Sequence, residues 1–289
     1  MKAAPFALCT PGSIDEAVAN LSEHGDDSRV LAGGQSLLPL MAMRRRSPAV
    51  LVDLRRLDAL DHITVADAHV AIGAMARQRT VERNESVAGS VRLLSLAVPQ
   101  IAHVTVRNQG TIGGSIAHAD PSAELPTVAV ATHATMVVRG PTGEREIAAT
   151  DFFLGVHTTA MAAGELLTEI RFPLDAPGCG WAFEEVSRRR GDVAIVAVAA
   201  MVRLGGDGQV AEARIAMSSV APTPIRASGA EALLAGHPPS SELFAAAAAE
   251  AVLTIDPPSD LNGTGAYRRH LATVLVRRAL ATATDRAGR

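Results

Sequence analysis

The chain has 289 residues, 48% of them hydrophobic but only 3% aromatic, and a formal net charge of −3. That length accommodates two domains, with cores built from Ala, Val, Leu and Ile rather than aromatic rings. A charge so near neutral argues against nucleic acid or an anionic membrane as partner. No sustained apolar stretch of signal-peptide length precedes Pro11 and Gly12. The longest apolar run, Val193 to Val202, is about half of what a bilayer demands. A cytoplasmic location is therefore expected. The two cysteines, Cys9 and Cys179, cannot build a disulfide framework and stand at no metal-ligand spacing from another Cys or His. An iron–sulfur cluster takes about four protein ligands, mostly Cys, so none is expected on this chain.

In chain order, Ser13 to His24 predicts a helix, with Ser13 as N-cap and Glu16 as its capping-box partner. Arg29 to Ala32 predicts a short strand ended by Gly33 and Gly34, and Ser36 onward predicts a helix with Pro39 in its first turn. Val50 to Leu54 and Val70 to Ala74 read as strands, and Ser90 to His103 as a helix with Pro99 near its end. A second glycine turn, Gly113-Gly114, precedes a helix over Pro121 to Ala131. Met136 to Arg139 and Arg145 to Ala148 flank Gly140-Pro141-Thr142-Gly143 as a hairpin. Ala176-Pro177-Gly178 reads as a linker. Beyond it, Trp181 to Ser187, Ala194 to Leu204 and Val210 to Val220 predict three antiparallel strands, the last two joined by a glycine-rich hairpin turn. Helices close the chain over Ala227 to Ala235, Ser241 to Leu253, and Gly265 to about Thr284.

The chemistry-bearing features are two glycine segments, Ala32-Gly33-Gly34-Gln35-Ser36 and Thr111-Ile112-Gly113-Gly114-Ser115. Glycine lets a backbone turn at positive φ and approach a ligand closely, so that exposed N–H groups point at anionic oxygens. Taken alone, either pair is weak evidence, since most such pairs are only tight turns. No Gly-x-Gly-x-x-Gly and no Gly-x-x-x-x-Gly-Lys occurs, which removes Rossmann and P-loop binding. Any nucleotide must then be held by two separated turns, an arrangement suited to a long ligand with a central pyrophosphate.

The stretches Val30 to Pro39 and Val104 to Pro126 resemble the two FAD motifs of the flavoprotein subunits of molybdenum hydroxylases, the xanthine oxidase and carbon monoxide dehydrogenase family. The resemblance continues through Ser187 to Val196, Ala221 to Ala227 and Tyr267 to Leu280, in the family's order. It implies an α+β fold: a two-part vanillyl-alcohol-oxidase-type (PCMH-type) FAD-binding domain over residues 1–177, with subdomains of about 1–60 and 61–177. A C-terminal domain of the carbon monoxide dehydrogenase flavoprotein type follows over 178–289, with a three-stranded antiparallel sheet and helices.

The resemblance further assigns Ala32, Gly33, Gly34, Gln35 and Ser36, with Leu37 and Leu38 after them, and Thr111, Ile112, Gly113, Gly114 and Ser115 to the FAD site, the two turns meeting its pyrophosphate. Glu124 occupies the position of an acid that contacts the adenosine half. His118 and Asp120 share its loop and are candidates for the same work; the plain alternatives are a satisfied loop histidine and a helix N-cap before Pro121. Leu38 and Leu167 match positions that cover the isoalloxazine, although by composition alone each is an ordinary core leucine. Two departures stand out: Glu184 falls where some members carry a Lys at the flavin's pyrimidine edge, and Val193 where an aromatic is common.

The implied function is that of an electron-transfer subunit carrying FAD and no catalytic residue of its own. A molybdopterin-binding large subunit and a small subunit with two [2Fe-2S] clusters are its expected partners, in a dimer of heterotrimers. A self-contained FAD-dependent oxidase or reductase, and a nucleotide-binding module without redox chemistry, remain as competing classes. A flavin spectrum and co-purifying partners separate the three.

Overall fold

The computed structural model describes residues 2–288. Its first 60 residues wind β1 (Ala7–Cys9), α1 (Ile14–His24), β2 (Ser28–Leu31), α2 (Leu37–Ala42) and β3 (Val50–Asp53) into a three-stranded parallel sheet of order β1-β3-β2. Helix α1 buries Ala17, Val18 and Leu21, an i, i+1, i+4 stripe against the sheet. The Ser13 hydroxyl accepts the Glu16 N–H at 3.1 Å, while the Glu16 carboxylate takes the Gly12 N–H at 2.7 Å. The reciprocal half of the capping box is thus shifted one residue outward.

A five-stranded antiparallel sheet follows, built from β4 (Ile63–Val65), β5 (His69–Gly73), and, after a helical excursion, β6, β7 and β10. The excursion comprises α3 (Gln78–Glu82), α4 (Glu85–Ser90), α5 (Arg92–Ala97), α6 (Val104–Arg107), α7 (Ile112–His118) and α8 (Glu124–Thr132). Then come β6 (Thr135–Gly140), β7 (Gly143–Ala148), α9 (Ala149–Phe152), the small ribbon β8 (Phe153–Gly155) and β9 (Thr158–Thr159), and β10 (Leu166–Pro173). Three sequence expectations change here. The helix expected over Ser90 to His103 is only Arg92–Ala97, extended by a 3-10 turn through Pro99. Gly113 and Gly114 lie inside the first turn of α7 and not in a turn of their own. The helix expected from Pro121 begins at Glu124 with Ala123 as N-cap.

The last third forms β11 (Cys179–Ser187), β12 (Ala194–Leu204), β13 (Val210–Ser218) and β14 (Ile225–Arg226), an antiparallel sheet in that order, with α10 (Ser228–Leu234), α11 (Ser241–Ala251) and α12 (Gly265–Ala287) on one face. The three expected strands are joined by a two-residue edge strand, β14. Strand β12 is buried along nine consecutive residues, because both of its faces are covered. Ala199 and Met201 pack into the core shared with α5, α8 and the five-stranded sheet, whereas Val198, Ala200 and Val202 pack with α10, α11 and α12. That double burial explains why its sequence reads as one apolar run instead of an alternation. Helix α8 is buried at every position and joins the halves, lying between the five-stranded sheet and strands β12 and β13. Among the described residues no helix is long and apolar enough to cross a membrane.

Candidate functional site

A cleft of about 650 Å³ runs between the β2–α2 turn, the start of α7, the loop before α8, and the β11–β12 loop at Gly191–Val193. Its geometry begins at the end of β2. There the chain turns through Gly33 and Gly34, the latter at φ +72°, a conformation open to glycine at little cost. A Cβ on Gly33 would lie 2.3 Å from the Gln109 carbonyl oxygen and 2.9 Å from the Gly110 Cα. The β2–α2 turn therefore rests directly on the backbone leading into Thr111, and two segments distant in sequence form one surface.

The two glycine segments contribute differently. Between Ala32 and Leu37, six consecutive backbone N–H groups have no protein acceptor among the described residues. Consecutive free N–H groups around a tight turn form an anion-binding nest. The start of α7 has none to offer. Ile112 N–H donates to Ala76 at 3.0 Å, Gly113 N–H to Ala74 at 2.9 Å and Ser115 N–H to Thr111 at 3.3 Å; Gly114 N–H donates to the Thr111 hydroxyl at 3.0 Å. Neither Gly113 nor Gly114 has positive φ. Gly113 is there for packing, since a Cβ would stand 2.5 Å from that of Ala74. The second segment therefore forms a rigid wall presenting Thr111, Gly114 and Ser115, and the N–H donors come from the first.

Around these turns stand the remaining polar groups. Gln78 is 4% exposed, lines the cleft, and leaves its Oε1 buried with no partner among the described residues. It is an acceptor placed for a ligand hydroxyl or amine, and nothing in the residue pattern around it marks it as such. His118 stacks on His157, ring centroids 4.5 Å apart. Burial first, and then the charge of His157, lower its pKa and favour the neutral ring. Asp120 accepts the Ser122 N–H at 2.9 Å, closing a loop turn instead of capping a helix. His118, Asp120 and His157 each bring one potential metal-ligand atom within 4.8 Å of the others, but His157 Nδ1 is engaged by the His118 carbonyl at 3.0 Å. Glu124 is 8% exposed at the cleft floor. Burial pushes its carboxyl up to about 7, with Asp120 adding to the rise and its own backbone N–H opposing it.

The cleft thus gathers Ala32, Gly33, Gly34, Gln35, Ser36, Leu37, Thr111, Gly114, Ser115, His118, Asp120 and Glu124. Leu38, Ile112, Gly113, Leu167 and Glu184 are not among the residues that line this cleft. Ile112 is fully buried, and Leu167, 3% exposed, sits in the core beside Val138 and Ile170. Leu38 is 45% exposed and folds back beside Gly34. Glu184 faces α12, 3.7 Å from Arg278. Strand alternation accounts for this: Trp181 and Phe183 point into the core shared with the first half, so Glu184 points away and Glu185 points back. Val193, 59% exposed, lines the rim together with Gly191 and Asp192. That loop is anchored where Gly191 approaches the Ala102 carbonyl.

A nest facing a closely packed helix start, in a cleft between a parallel-sheet subdomain and an antiparallel one, defines a binding protein for an elongated anionic cofactor. Comparison with known proteins sharpens the class. The family model for the FAD binding domain in molybdopterin dehydrogenase matches residues 4–175, and that for the CO dehydrogenase flavoprotein C-terminal domain matches residues 181–283. The chain is 39% identical over 281 residues to the carbon monoxide dehydrogenase medium chain of Hydrogenophaga pseudoflava, covering 97% of this chain and 98% of that one. It is 38% identical over 287 residues to the 6-hydroxypseudooxynicotine dehydrogenase complex subunit alpha of Paenarthrobacter nicotinovorans, covering 99% and 97%. Among solved structures, a carbon monoxide dehydrogenase from Hydrogenophaga pseudoflava that lacks the Mo-pyranopterin moiety matches with a TM-score of 0.97 at 40% identity over 99% of both chains. The chain belongs to the family of FAD-binding medium subunits of molybdenum-containing dehydrogenases.

Proposed function

We propose that this chain is the electron-transfer subunit of a cytoplasmic molybdenum hydroxylase. When bound, FAD supplies the exchange of electrons between the [2Fe-2S] clusters of a small partner subunit and an external acceptor. A large subunit holds molybdopterin and the organic substrate, and the three chains assemble as a dimer of heterotrimers. In this reading residues 1–177 form the FAD domain, with subdomains of about 1–60 and 61–177, and residues 178–289 the C-terminal domain.

The observation that carries the reading is the row of unpartnered N–H groups from Ala32 to Leu37 pressed against Gln109 and Gly110. The nest holds the pyrophosphate, and Thr111, Gly114 and Ser115 wall it in. Gln78 and Glu124 accept hydrogen bonds from the ligand's hydroxyl or amine groups, and Val193 shields the rim from water. No side chain is called upon to attack or deprotonate an organic substrate. Chromatography of the cofactor released by heating the purified chain tests the assignment. FAD is expected; FMN, which has no pyrophosphate, as the dominant species would remove the nest's role.

A further inference from the structure

A second cavity, of about 410 Å³, lies at the seam between the two halves of the chain and shares no residue with the cofactor cleft. That volume falls within the range of about 300–1,000 Å³ usual for small-molecule sites. Ala88 on α4 and Arg92, Ser95 and Leu96 on α5 line one side, and Trp181 of β11 with Arg286 of α12 the other. On α5 the spacing i, i+3, i+4 sets Arg92, Ser95 and Leu96 on one face, while Leu93, Leu94 and Ala97 sink into the core that also holds Trp181. Both sides are fixed in place. The Arg92 N–H donates to the Asp175 carboxylate at 2.8 Å, and the Arg286 guanidinium donates to the Trp181 carbonyl at 2.5 Å. Gly180 leaves no room for a Cβ against the Ala283 carbonyl, so the last turns of α12 lie directly on β11.

Every polar side chain lining this cavity can donate a hydrogen bond, and none carries a negative charge. Arg92 and Arg286 are exposed, and neither enters an ion pair among the described residues. The Trp181 indole, 4% exposed, has its Nε1 buried and without an acceptor among the described residues. The Asp175 carboxylate is near enough to feel that N–H but is turned to the Arg92 backbone. A buried donor left so is costly and favours a ligand acceptor. Ala88, Leu96 and the indole supply apolar walls. Guanidiniums beside apolar walls suit a carboxylate on an apolar body, because a guanidinium grips a planar carboxylate through two parallel N–H bonds. We propose that this cavity binds a small monocarboxylate carrying an apolar ring, its acid group held by Arg92 and Arg286 and its ring against Trp181. Such a ligand touches both halves of the chain at once. The site is independent of what the cofactor cleft holds.

Trp181 is the only tryptophan of the chain, so indole emission from the purified full chain reports on this cavity alone. The chain is titrated with cyclohexanecarboxylate, which is transparent where indole is excited, and in parallel with cyclohexanecarboxamide and with acetate. A saturable change in emission is expected with the ring carboxylate. Affinity should fall about tenfold or more for the neutral carboxamide, for acetate, and for the ring carboxylate in Arg92→Gln and in Arg286→Gln. Flavin absorbance should not move during the titration. No saturable change, or equal affinity for carboxylate and carboxamide, overturns the site. Acetate binding as tightly as the ring carboxylate overturns the apolar half of the proposal, and wild-type affinity in both Gln variants overturns the role of the arginines. Release of flavin by the ring carboxylate would put that ligand in the cofactor cleft and overturn the second site. Should either variant fail to fold, the comparison of the three ligands on the wild type decides alone.

Discussion

The two Gly-Gly segments look alike in sequence and do opposite things. At Gly33-Gly34 the backbone enters the left-handed region and leaves its donors free. At Gly113-Gly114 it is helical, and its donors are consumed by Ala74 and by the Thr111 hydroxyl. A glycine pair therefore marks close approach, but what approaches differs: the Gln109–Gly110 backbone at Gly33, and Ala74, just past the end of β5, at Gly113. The N–H ledger separates the two, since every buried main-chain donor must find a partner.

The largest effect expected from this contrast belongs to Gly33→Ala. Its Cβ would collide with the Gln109 carbonyl at 2.3 Å, and backbone on both sides cannot yield as a flexible side chain would. The nest and the α7 wall are driven apart, and flavin affinity should fall by about a hundredfold or more, a loss of roughly 3 kcal/mol. Absorbance of the purified variant reads this, with far-ultraviolet circular dichroism to show that the C-terminal sheet persists. Full flavin occupancy would mean that the two segments do not share a ligand.

Gly34→Ala is next, because φ of +72° costs an L-residue about 1–2 kcal/mol. Flavin loss of about tenfold should appear in the same assay. Gly114→Ala sharpens the comparison from the other side. Its backbone is unstrained, and its Cβ would meet the Thr111 hydroxyl at 2.7 Å and, in ordinary contact, the Ala32 Cβ at 3.5 Å. The expected cost is that of a disturbed N-cap, about 1 kcal/mol in thermal unfolding, with flavin affinity changed less than in Gly34→Ala. A Gly114→Ala chain that loses flavin as completely as Gly33→Ala would contradict the division of roles.

The region around β11 offers a second pair to compare, Glu184 and Glu185. Glu185 has a folded pKa of about 8 against an ordinary 4.5. Such a raised acid stabilises fully below the unfolded value, and its contribution is lost as pH climbs toward 8. Glu185→Gln, which cannot ionise, should therefore be more stable than the wild type at about pH 8.5 and nearly equal at about pH 5. Discounted for solvent screening, the gain at the higher pH is on the order of 2 kcal/mol in denaturant unfolding. Glu184→Lys is the smallest expected effect: it swaps a partly exposed pairing with Arg278 for a repulsion worth less than about 1 kcal/mol. The flavin reduction potential should stay where it is, and a clear rise on titration would return Glu184 to the cofactor.

Much of this was legible in the residues. The N-cap of α1, the strands β2 and β3, the hairpin of β6 and β7, and the long strands β11 to β13 follow from capping chemistry and periodicity, whereas β1 and the parallel pairing of the first sheet do not. The short helices α3, α4 and α6 were not legible, because four to six residues give no amphipathic period to read. Helix α8, buried on all sides, offered no such period either, yet a helix over Pro121 to Ala131 was expected there and only its start is displaced, to Glu124. At the cleft, resemblance pointed to the loop that carries His118, Asp120 and Glu124. It could not show that Gln78 lies against Gly110, a contact made only when the chain folds back. Nor could it choose between Glu184 and Glu185, since a one-residue shift along a strand reverses the face.

The central claim, that the β2–α2 turn supplies the donors for the cofactor's pyrophosphate, is tested most directly by amide hydrogen exchange on the chain stripped of flavin and on the same chain with FAD restored. Exchange at Ala32 to Leu37 should slow by about tenfold or more on adding FAD, whereas Ile112 to Ser115, already bonded within the protein, should change little. Unaltered exchange at Ala32 to Leu37 in a chain that demonstrably holds FAD would contradict the account.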